Sequence, residues 1–276
     1  KVISMSGYLQ MGLHKMSDQL SVPDHITQEG QTYKDSFDHG TERWTLAGIL
    51  QNSSNVGMIM AGENYPDEQR YEYLTKFGIG QPTGLNLPGE SSGLLTNPSA
   101  WDLRTRNTIL FGQGYTVNAL QLNNVVATIA NKGVKQQQSI IKSTTDANGK
   151  TTETKKGEAT RVVDEKVASD MMNAMESVAE GYNKFVKVDG YRMAAKSGTA
   201  EVQGSDGTLS SIISDYSVVI PVDNPRYAVT VVMKDPNGVF GGLTAGPVSA
   251  QICEFLMQKY EVPVSGPRKN AIPVTW

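Results

Sequence analysis

The chain contains a single cysteine among its 276 residues. One cysteine excludes an internal disulfide framework and any zinc site built from several thiolates. Long apolar runs are also missing: the longest candidates, such as residues 125–130, are far shorter than the 18 residues that suggest a membrane span. The chain opens at Lys1 with only a brief apolar stretch after it, without an initiator methionine or a signal-peptide pattern. We therefore expect a piece of a longer protein.

Excess charge of either sign is lacking as well. Lys and Arg total 25 against 28 Asp and Glu, so the formal net charge is −3. Proteins that read nucleic acid usually carry a basic stripe, and we expect no nucleic-acid partner here. A hydrophobic content of 38% and a charged content of 19% are typical of a globular protein. The length allows one large domain or two small ones.

The first half of the chain has apolar residues at helical spacing. The spacing predicts helices over Val2–Met11, Thr45–Leu50, Val56–Ala61, Asp67–Phe77 and Asn118–Asn131. Residues 21–40 are polar and turn-rich, and residues 80–98, with four Gly and three Pro, predict an ordered loop. This pattern predicts a predominantly helical lobe.

The second half changes to strand patterns. Alternation predicts strands over Tyr191–Val202, Ile212–Ile220 and Arg226–Lys234 and a hairpin of Ser139–Thr145 with Thr151–Lys155. The strand Arg226–Lys234 is apolar on both faces and is predicted to be central in its sheet. The fold class is therefore α+β, with an antiparallel sheet covered by helices and an all-helical lobe.

Two later helices are predicted to cover the sheet, over Val163–Val178 and Pro247–Tyr260. In the second helix the side chains predicted to be buried are Val248, Ile252, Phe255 and Leu256. Residues 263–276 contain three prolines and a glycine without periodicity, so we expect a C-terminal tail after a domain that spans residues 1–262.

Three short segments could carry chemistry. Lys196-Ser197-Gly198-Thr199 lies in a predicted strand, where an internal glycine marks close approach of a ligand or another backbone; a solvated strand end explains it equally well. Ser53-Ser54-Asn55 interrupts a helical stretch, and helix capping is the simpler explanation. Phe111-Gly112-Gln113-Gly114 is explained by a turn. Each signal is weak alone.

Taken together, these segments resemble the motif set of penicillin-binding proteins and serine β-lactamases, namely Ser-x-x-Lys, Ser-x-Asn and Lys-Thr/Ser-Gly. Several further segments occur in the order expected for class B penicillin-binding proteins: Lys76–Gly80, Thr83–Glu90, Phe111–Gly114, Asp223–Tyr227 and Ala245–Val248. The nearest likeness is the division-specific transpeptidase of actinobacterial type. The resemblance extends along nearly the whole chain and implies the penicillin-binding, serine β-lactamase-like fold.

The Ser-x-x-Lys motif is displaced. Its only complete copy, Ser139–Lys142, comes after the Ser-x-Asn segment, whereas the family places it before that segment and at the start of a helix. Ser139 lies in a predicted hairpin strand, so we reject it as the nucleophile. In the family a Val-Ile-Thr/Ser stretch comes directly after the motif lysine, and Lys1-Val2-Ile3-Ser4 resembles that stretch. The resemblance therefore implies that Lys1 is the motif lysine and that the nucleophilic serine lies three residues upstream, outside this sequence.

The resemblance also implies roles for the residues that match the motifs. Lys1 would be the base, and Ser53 with Asn55 would relay the proton and hold Lys1 and the substrate amide. Lys196, also counted as catalytic, would bind the substrate carboxylate with Thr199 and lower the pKa of the neighbouring lysine; the Thr199 N–H would be an oxyanion-hole donor. Ser197 and Gly198 complete the substrate-binding strand. No metal and no cofactor are implied.

The implied activity is acyl transfer on peptidoglycan stem peptides that end in D-Ala-D-Ala, with β-lactams as inhibitors. A serine β-lactamase, a non-catalytic β-lactam sensor or scaffold and a D,D-carboxypeptidase remain alternatives. The parent protein is expected on the outer face of the cell membrane with one N-terminal anchor. Its implied partners are a membrane glycosyltransferase and other division proteins.

The other polar candidates have simpler explanations. His14, His25 and His39 lack metal-ligand spacing and are expected on the surface. Cys253 is expected to be a small core residue. Glu90 is expected to belong to a structural loop, although a carboxylate in a cleft could activate water in a β-lactamase.

Overall fold

The computed structural model describes residues 1–203 and 208–276. The helices in this part of the chain are α1 (Val2–Gln10), α2 (Leu46–Gln51), α3 (Asn55–Ala61), α4 (Asp67–Lys76), α5 (Leu103–Phe111), α6 (Ala119–Ala130), α7 (Glu165–Gly181) and α8 (Gly241–Lys259), with a 3-10 turn at Pro98–Ala100. The strands are β1 (Gln19–Val22), β2 (His25–Gln28), β3 (Gln31–Lys34), β4 (Glu42–Thr45), β5 (Val134–Gln136), β6 (Ser143–Thr145), β7 (Thr151–Glu153), β8 (Ala159–Arg161), β9 (Ala194–Gln203), β10 (Leu209–Ile220) and β11 (Tyr227–Lys234).

A three-stranded antiparallel sheet in the order β11-β10-β9 supports the molecule. α8 covers one face of this sheet, and α6 and α7 cover the other. Four two-stranded ribbons pair β1 with β4, β2 with β3, β5 with β8 and β6 with β7. The predicted α+β class, with a helical lobe and a helix-covered antiparallel sheet, is confirmed.

Burial divides the apolar core between the two faces of the sheet. The larger cluster joins α1 to the helical lobe, and its Met5 and Tyr8 side chains are fully buried. The Tyr8 hydroxyl donates to the Met58 carbonyl oxygen at 3.0 Å, so the one polar atom of this buried ring is satisfied. α1 is therefore a core helix preceded by Lys1. None of the helices in the described ranges combines the length and apolar character required of a membrane span.

Most of the longer elements agree with their predicted positions, whereas short strands and one helix were missed. The segment 21–40, predicted as turns, contains the β2–β3 ribbon, and α5 was not predicted. Strands of three or four residues carry too few positions for alternation to be recognised. In α5 only three of nine residues, Leu103, Ile109 and Leu110, are aliphatic, so an apolar stripe is hard to detect.

Among the described residues the last strand is not central, as it was predicted to be. β11 pairs with β10 alone there, and β10 is the middle strand of the three, with Tyr216, Val218, Val219 and Ile220 fully buried. Both faces of β11 are apolar because α6 and α8 pack against it from opposite sides. Apolar faces report on the layers above and below a strand, and they carry no information on its lateral neighbours.

The predicted start and buried face of the last helix are also wrong. α8 begins at Gly241, so Pro247 lies inside it, and its buried face is formed by Ala245, Ser249, Ala250, Cys253 and Met257. Ile252 and Phe255 are exposed. The small residues face the sheet because the helix start lies against strand backbone: a Cβ on Gly241 would lie 2.2 Å from the Asp215 carbonyl oxygen.

Residues 263–276 form no helix or strand, but they are held against the domain. The Arg268 guanidinium donates to the Asn173 carbonyl oxygen and to Ser177 Oγ on α7. Further on, Thr45 N donates to the Val274 carbonyl oxygen at 3.1 Å. The C-terminal segment thereby contacts the start of α2.

Candidate active site

A cleft of about 900 Å³ lies between the β9 side of the sheet and the helical lobe. All seven residues that the motifs predicted for the site line this cleft: Lys1, Ser53, Asn55, Lys196, Ser197, Gly198 and Thr199. They come from three separate parts of the chain, namely the start of α1, the break between α2 and α3, and β9. The tertiary structure thus brings the predicted residues together, and their individual roles stay predictions.

The break between α2 and α3 directs Ser53 into the cleft. α2 ends at Gln51, and Ser53 adopts a φ of +55°, which is uncommon for any residue other than glycine. Ser54 then caps α3, its Oγ accepting from Gly57 N at 2.8 Å. The helix cap that was expected in this segment is Ser54. Ser54 is fully buried, whereas Ser53 and Asn55 reach the cleft on either side of it.

A buried carboxylate, Asp35, holds this break in place, and the sequence analysis missed it. Asp35 Oδ2 accepts from Ser54 Oγ at 2.6 Å, and its Oδ1 accepts from Val56 N at 3.0 Å and from Asn55 N. Hydrogen bonds to an ionised acceptor are about twice as strong as neutral ones. Asp35 therefore orders the backbone from which Ser53 and Asn55 project, although its own side chain does not line the cleft.

The Lys1 ammonium is held at the base of the cleft. Its Nζ donates to Asn55 Oδ1 at 2.9 Å and to the Phe111 carbonyl oxygen at 3.2 Å. Burial lowers the pKa of the Lys1 side chain to about 7, with the Lys196 charge acting in the same direction and Asp35 in the opposite one. A lysine with a pKa near neutrality can serve as a general base.

Lys196 connects the strand to the helix break. Its Nζ donates to Ser53 Oγ at 2.9 Å and to the Ser197 carbonyl oxygen at 2.8 Å. Burial lowers the pKa of Lys196 to about 8, and the charge of Asp215 raises it in part. Because Lys196 donates to the Ser53 oxygen, the Ser53 hydroxyl hydrogen is free to point into the cleft.

The rest of the β9 segment is fixed by its neighbours. Thr199 Oγ1 accepts from Gly241 N at 3.2 Å, which ties the strand to the start of α8. Ser197 Oγ lies 3.3 Å from the Tyr182 hydroxyl oxygen. A Cβ on Gly198 would lie 2.0 Å from Asp215 Oδ2 on β10, so only glycine fits at this position without a shift. The group that approaches this glycine is a carboxyl side chain, whereas its place in a strand predicted a ligand or another backbone.

Three further residues of the cleft, outside the seven predicted site residues, bear on its electrostatics. Asp215 and Tyr115 line it, and the Phe111 carbonyl oxygen accepts from Lys1. Burial raises the pKa of Tyr115 to about 12, so its hydroxyl stays protonated. Asp215 lies on an apolar strand, and a charged residue in such a strand is the signal that could have identified it. Phe111 belongs to the segment Phe111–Gly114 that the sequence singled out, but no pattern indicates that its backbone carbonyl, a group every residue has, accepts from Lys1.

The candidates outside the motifs have mixed outcomes. Ser139 does not lie in a strand as predicted but precedes β6, and it is exposed and outside the cleft; its Oγ donates to the Ile141 carbonyl oxygen. His39 is not a surface residue, because its side chain is 5% exposed and lies 3.1 Å from Asp35 Oδ2. Cys253 is fully buried, as predicted. Glu90 accepts from Thr83 N at 2.7 Å in the loop before α5 and does not line the cleft.

The family assignment rests on a match to a family model. The model described as the penicillin binding protein transpeptidase domain matches residues 1–254. The chain belongs to this family. The resemblance inferred from the motifs is thereby confirmed, and the cleft lies within the matched transpeptidase domain.

Similar proteins extend the comparison along the chain. The penicillin-binding protein PbpB of Mycolicibacterium smegmatis is 32% identical over 279 residues, covering 96% of this chain and 43% of that protein. A crystal structure of a peptidoglycan synthetase from Bifidobacterium adolescentis is 68% identical, with a TM-score of 0.95, over 100% of this chain and 50% of that one. Penicillin-binding protein 3 of Mycobacterium tuberculosis, in a complex with aztreonam, is 31% identical with a TM-score of 0.90, over 100% of this chain and 64% of that one.

This transpeptidase chain spans less than half the length of the curated relatives it matches. The comparisons therefore establish the family and fold of these residues. The activity, substrates and partners of the whole protein are matters for proposal.

Proposed function

We propose that this chain carries the acyl-transfer site of a peptidoglycan D,D-transpeptidase that cross-links stem peptides through a serine acyl-enzyme. The observation that carries the proposal is a pair of lysines in one cleft, Lys196 buried and Lys1 half-buried. Each is bonded to one member of the Ser-x-Asn segment: Lys1 to Asn55 and Lys196 to Ser53, both at 2.9 Å. A serine hydroxyl is a weak nucleophile until a base takes its proton. Two lysines with pKa values lowered to about 7 and about 8 can divide the roles of base and cation.

In the acylation step, neutral Lys1 takes the proton of the nucleophilic serine as its oxygen attacks the penultimate D-Ala carbonyl carbon. The carbon–nitrogen bond to the terminal D-Ala then breaks, and the proton passes through Ser53 to the leaving amine, so no proton is gained or lost. Asn55 holds Lys1 in position and contacts the substrate amide. In the second step an amine of a neighbouring stem attacks the ester, forming the cross-link and releasing the serine.

The β9 segment is proposed to hold the donor. The Lys196 ammonium, with Ser197 and Thr199, would bind the carboxylate of the terminal D-Ala. The N–H of Thr199 would donate to the developing oxyanion, and donors of this kind are worth about 10²–10³-fold in rate. Gly198 leaves room beside this strand for the Asp215 carboxyl group. No step requires a metal or a cofactor.

The nucleophile is proposed to be a serine three residues before Lys1 in the parent protein, since the family motif is Ser-x-x-Lys and Lys1 occupies the place of its lysine. A separation of three residues on a helix brings two side chains to the same face. The complete Ser-x-x-Lys copy at Ser139 lies outside the cleft and offers no alternative.

For the parent protein we propose a membrane-anchored enzyme on the outer face of the cell membrane, active in cell division. A membrane glycosyltransferase would supply the glycan strands that it cross-links. Residues 1–262 would form the transpeptidase domain, with 263–276 as a C-terminal segment packed against it.

The test uses the parent protein, a labelled penicillin and a D-Ala-D-Ala-type thioester with an added amine. We expect one penicillin per molecule on the proposed serine, slow release, and an aminolysis product from the thioester. Rapid turnover of penicillin would identify a β-lactamase instead. Hydrolysis without aminolysis would identify a carboxypeptidase, and penicillin binding without thioester turnover would identify a sensor or scaffold.

A further inference from the structure

The carboxyl group of Asp215 lies in the cleft and has no part in the proposed acyl-transfer chemistry. Asp215 lies on β10, directly opposite Gly198 of β9. Lys196 is two residues from Gly198, and alternate residues share a face of the sheet, so Asp215 and Lys196 face the same side. That side is the one covered by the helical lobe, and both residues line the cleft.

Asp215 extends over the strand that is proposed to hold the ligand carboxylate. Its Oδ2 lies 2.0 Å from the point that a Cβ on Gly198 would occupy, so the carboxyl group covers the space above the Gly198 Cα. Two carboxylates that share a site repel each other unless one of them is protonated. A ligand carboxylate bound by Lys196 and Thr199 would therefore be sensitive to the protonation of Asp215.

The surroundings of Asp215 are compatible with either protonation state. The other titratable groups that line the cleft are Lys1, Tyr115, Tyr182, Lys196 and Glu201. β11 places Val232 opposite Asp215, and the start of α8 places Gly241 against its backbone, so neither element adds a charge there. Within residues 1–203 and 208–276 no side-chain hydrogen bond or ion pair holds the Asp215 carboxylate. Burial raises the pKa of Asp215 to about 6, and the charges of Lys196 and of the Lys1 α-amino group oppose that rise.

We propose that Asp215 is a specificity-determining residue that makes the capture of an anionic ligand on β9 dependent on pH. In its neutral form the carboxyl group offers an O–H donor beside the ligand carboxylate. In its ionised form it repels that carboxylate and weakens the hold of Lys196 and Thr199 on it. The inference rests on the proposed function, because it concerns the carboxylate-binding strand of that same site.

The sign of the effect is set by the ionisation of Asp215. Below pH 6 the group is largely neutral and the repulsion is absent, whereas above pH 6 the charge develops and lowers the acylation constant relative to that of a variant without this carboxyl group. Lys1 and Lys196 titrate both in the wild type and in an Asp215 variant. The ratio of the acylation rate constant of the variant to that of the wild type therefore isolates the effect of Asp215. The ratio is measured between pH 5 and 7, because removal of Asp215 also lowers the pKa of Lys196 and opposes the effect at higher pH.

The experiment measures the second-order acylation constant of the parent protein with a labelled anionic penicillin. Asp215→Asn has nearly the same shape and keeps the contact with Gly198. We expect the variant-to-wild-type ratio to rise on the order of tenfold from pH 5 to pH 7, which one nearby charge at a partly screened site can produce. Asp189→Asn removes the same charge from an exposed side chain outside the cleft, and its ratio should stay near one throughout.

A second measurement needs no variant. Penicillin and its uncharged methyl ester are compared on the wild-type protein, and the penicillin-to-ester ratio of acylation constants should fall as the pH rises from 5 to 7. If both ratios are independent of pH while acylation proceeds, Asp215 has no such role and the proposed function stands. If the wild-type parent is not acylated at all, the proposed function fails and this inference fails with it.

Discussion

Ser53 Oγ accepts a hydrogen bond from Lys196 Nζ at 2.9 Å, between residues 143 positions apart in the chain. The contact depends on the left-handed backbone at Ser53, which lies just beyond α2 and turns the hydroxyl away from the helical lobe. Such a conformation costs energy in a residue with a side chain, and residues of this kind cluster at functional sites. Variants of this contact and of its neighbours therefore test the proposed site directly.

Lys196→Ala should slow acylation of the parent protein by penicillin by about 10²–10³-fold, because it removes both the carboxylate anchor and the partner of Ser53. The second-order acylation constant measures the effect. Lys234→Ala, on the exposed end of β11, removes the same charge away from the cleft and should leave the constant unchanged. An acylation constant for Lys196→Ala within a few-fold of wild type would remove Lys196 from the site.

Ser53→Ala and Asn55→Ala should slow acylation while leaving the fold intact, since both side chains face the cleft. Ser54→Ala should instead lower the free energy of unfolding by about 0.5–2 kcal/mol, because it removes the cap of α3, with much less effect on acylation. Thermal unfolding and acylation rates separate the two classes.

Ser53→Gly provides a matched control for the backbone. Glycine adopts the left-handed conformation without strain, so this variant should be at least as stable as Ser53→Ala and equally slow in acylation. If Ser54→Ala abolished acylation and Ser53→Ala left the acylation rate unchanged, the motif serine would be Ser54 and the assignment would be wrong by one residue.

Acylation should show a bell-shaped pH profile. Lys1 must be neutral to act as a base, so the rate should rise as the pH passes about 7. Lys196 must be charged to bind a carboxylate, so the rate should fall as the pH passes about 8. Stopped-flow acylation between pH 5 and 10 gives both limbs. Lys196→Ala should lose the alkaline limb, and an alkaline limb that persists in this variant would contradict the assignment.

The C-terminal segment should stabilise the helix that leads to Ser53. A Cβ on Gly48 of α2 would lie 1.9 Å from the Val274 carbonyl oxygen, so Gly48→Ala should displace the segment and lower the free energy of unfolding by about 1–3 kcal/mol. Gly181→Ala, where the new Cβ has its nearest contact at 3.6 Å, should be close to neutral. Denaturant unfolding compares them. Equal effects would show that residues 273–276 do not support α2.

Much of the candidate site was predictable because its side chains belong to short motifs. Ser53, Asn55 and Lys196 were identified because the segments that contain them resemble the motifs of a known family, and the cleft contains all three. Asp35 was not identifiable, because the two backbone N–H groups and the hydroxyl that it holds in the helix break lie about twenty residues away, and its nearer contact with His39 gives no sign of them. Asp215 carries a signal, a charge in an apolar strand, but its position opposite Gly198 depends on the pairing of β9 with β10, which the sequence does not show.

The sequence by itself determined the periodic elements and the family, because helical and strand periodicity and motif spacing are properties of neighbouring residues. Only the tertiary structure decided that β10 and not β11 is the middle strand, and that α8 turns its small residues and not Phe255 toward the sheet. The tertiary structure alone also decided that Lys1, Ser53 and Lys196 meet in one cleft. The order of the strands in a sheet and the close approach of two backbones depend on residues that are far apart in the chain. The pKa of a lysine in the cleft does so too. A pattern among neighbouring residues carries no information about such distant contacts.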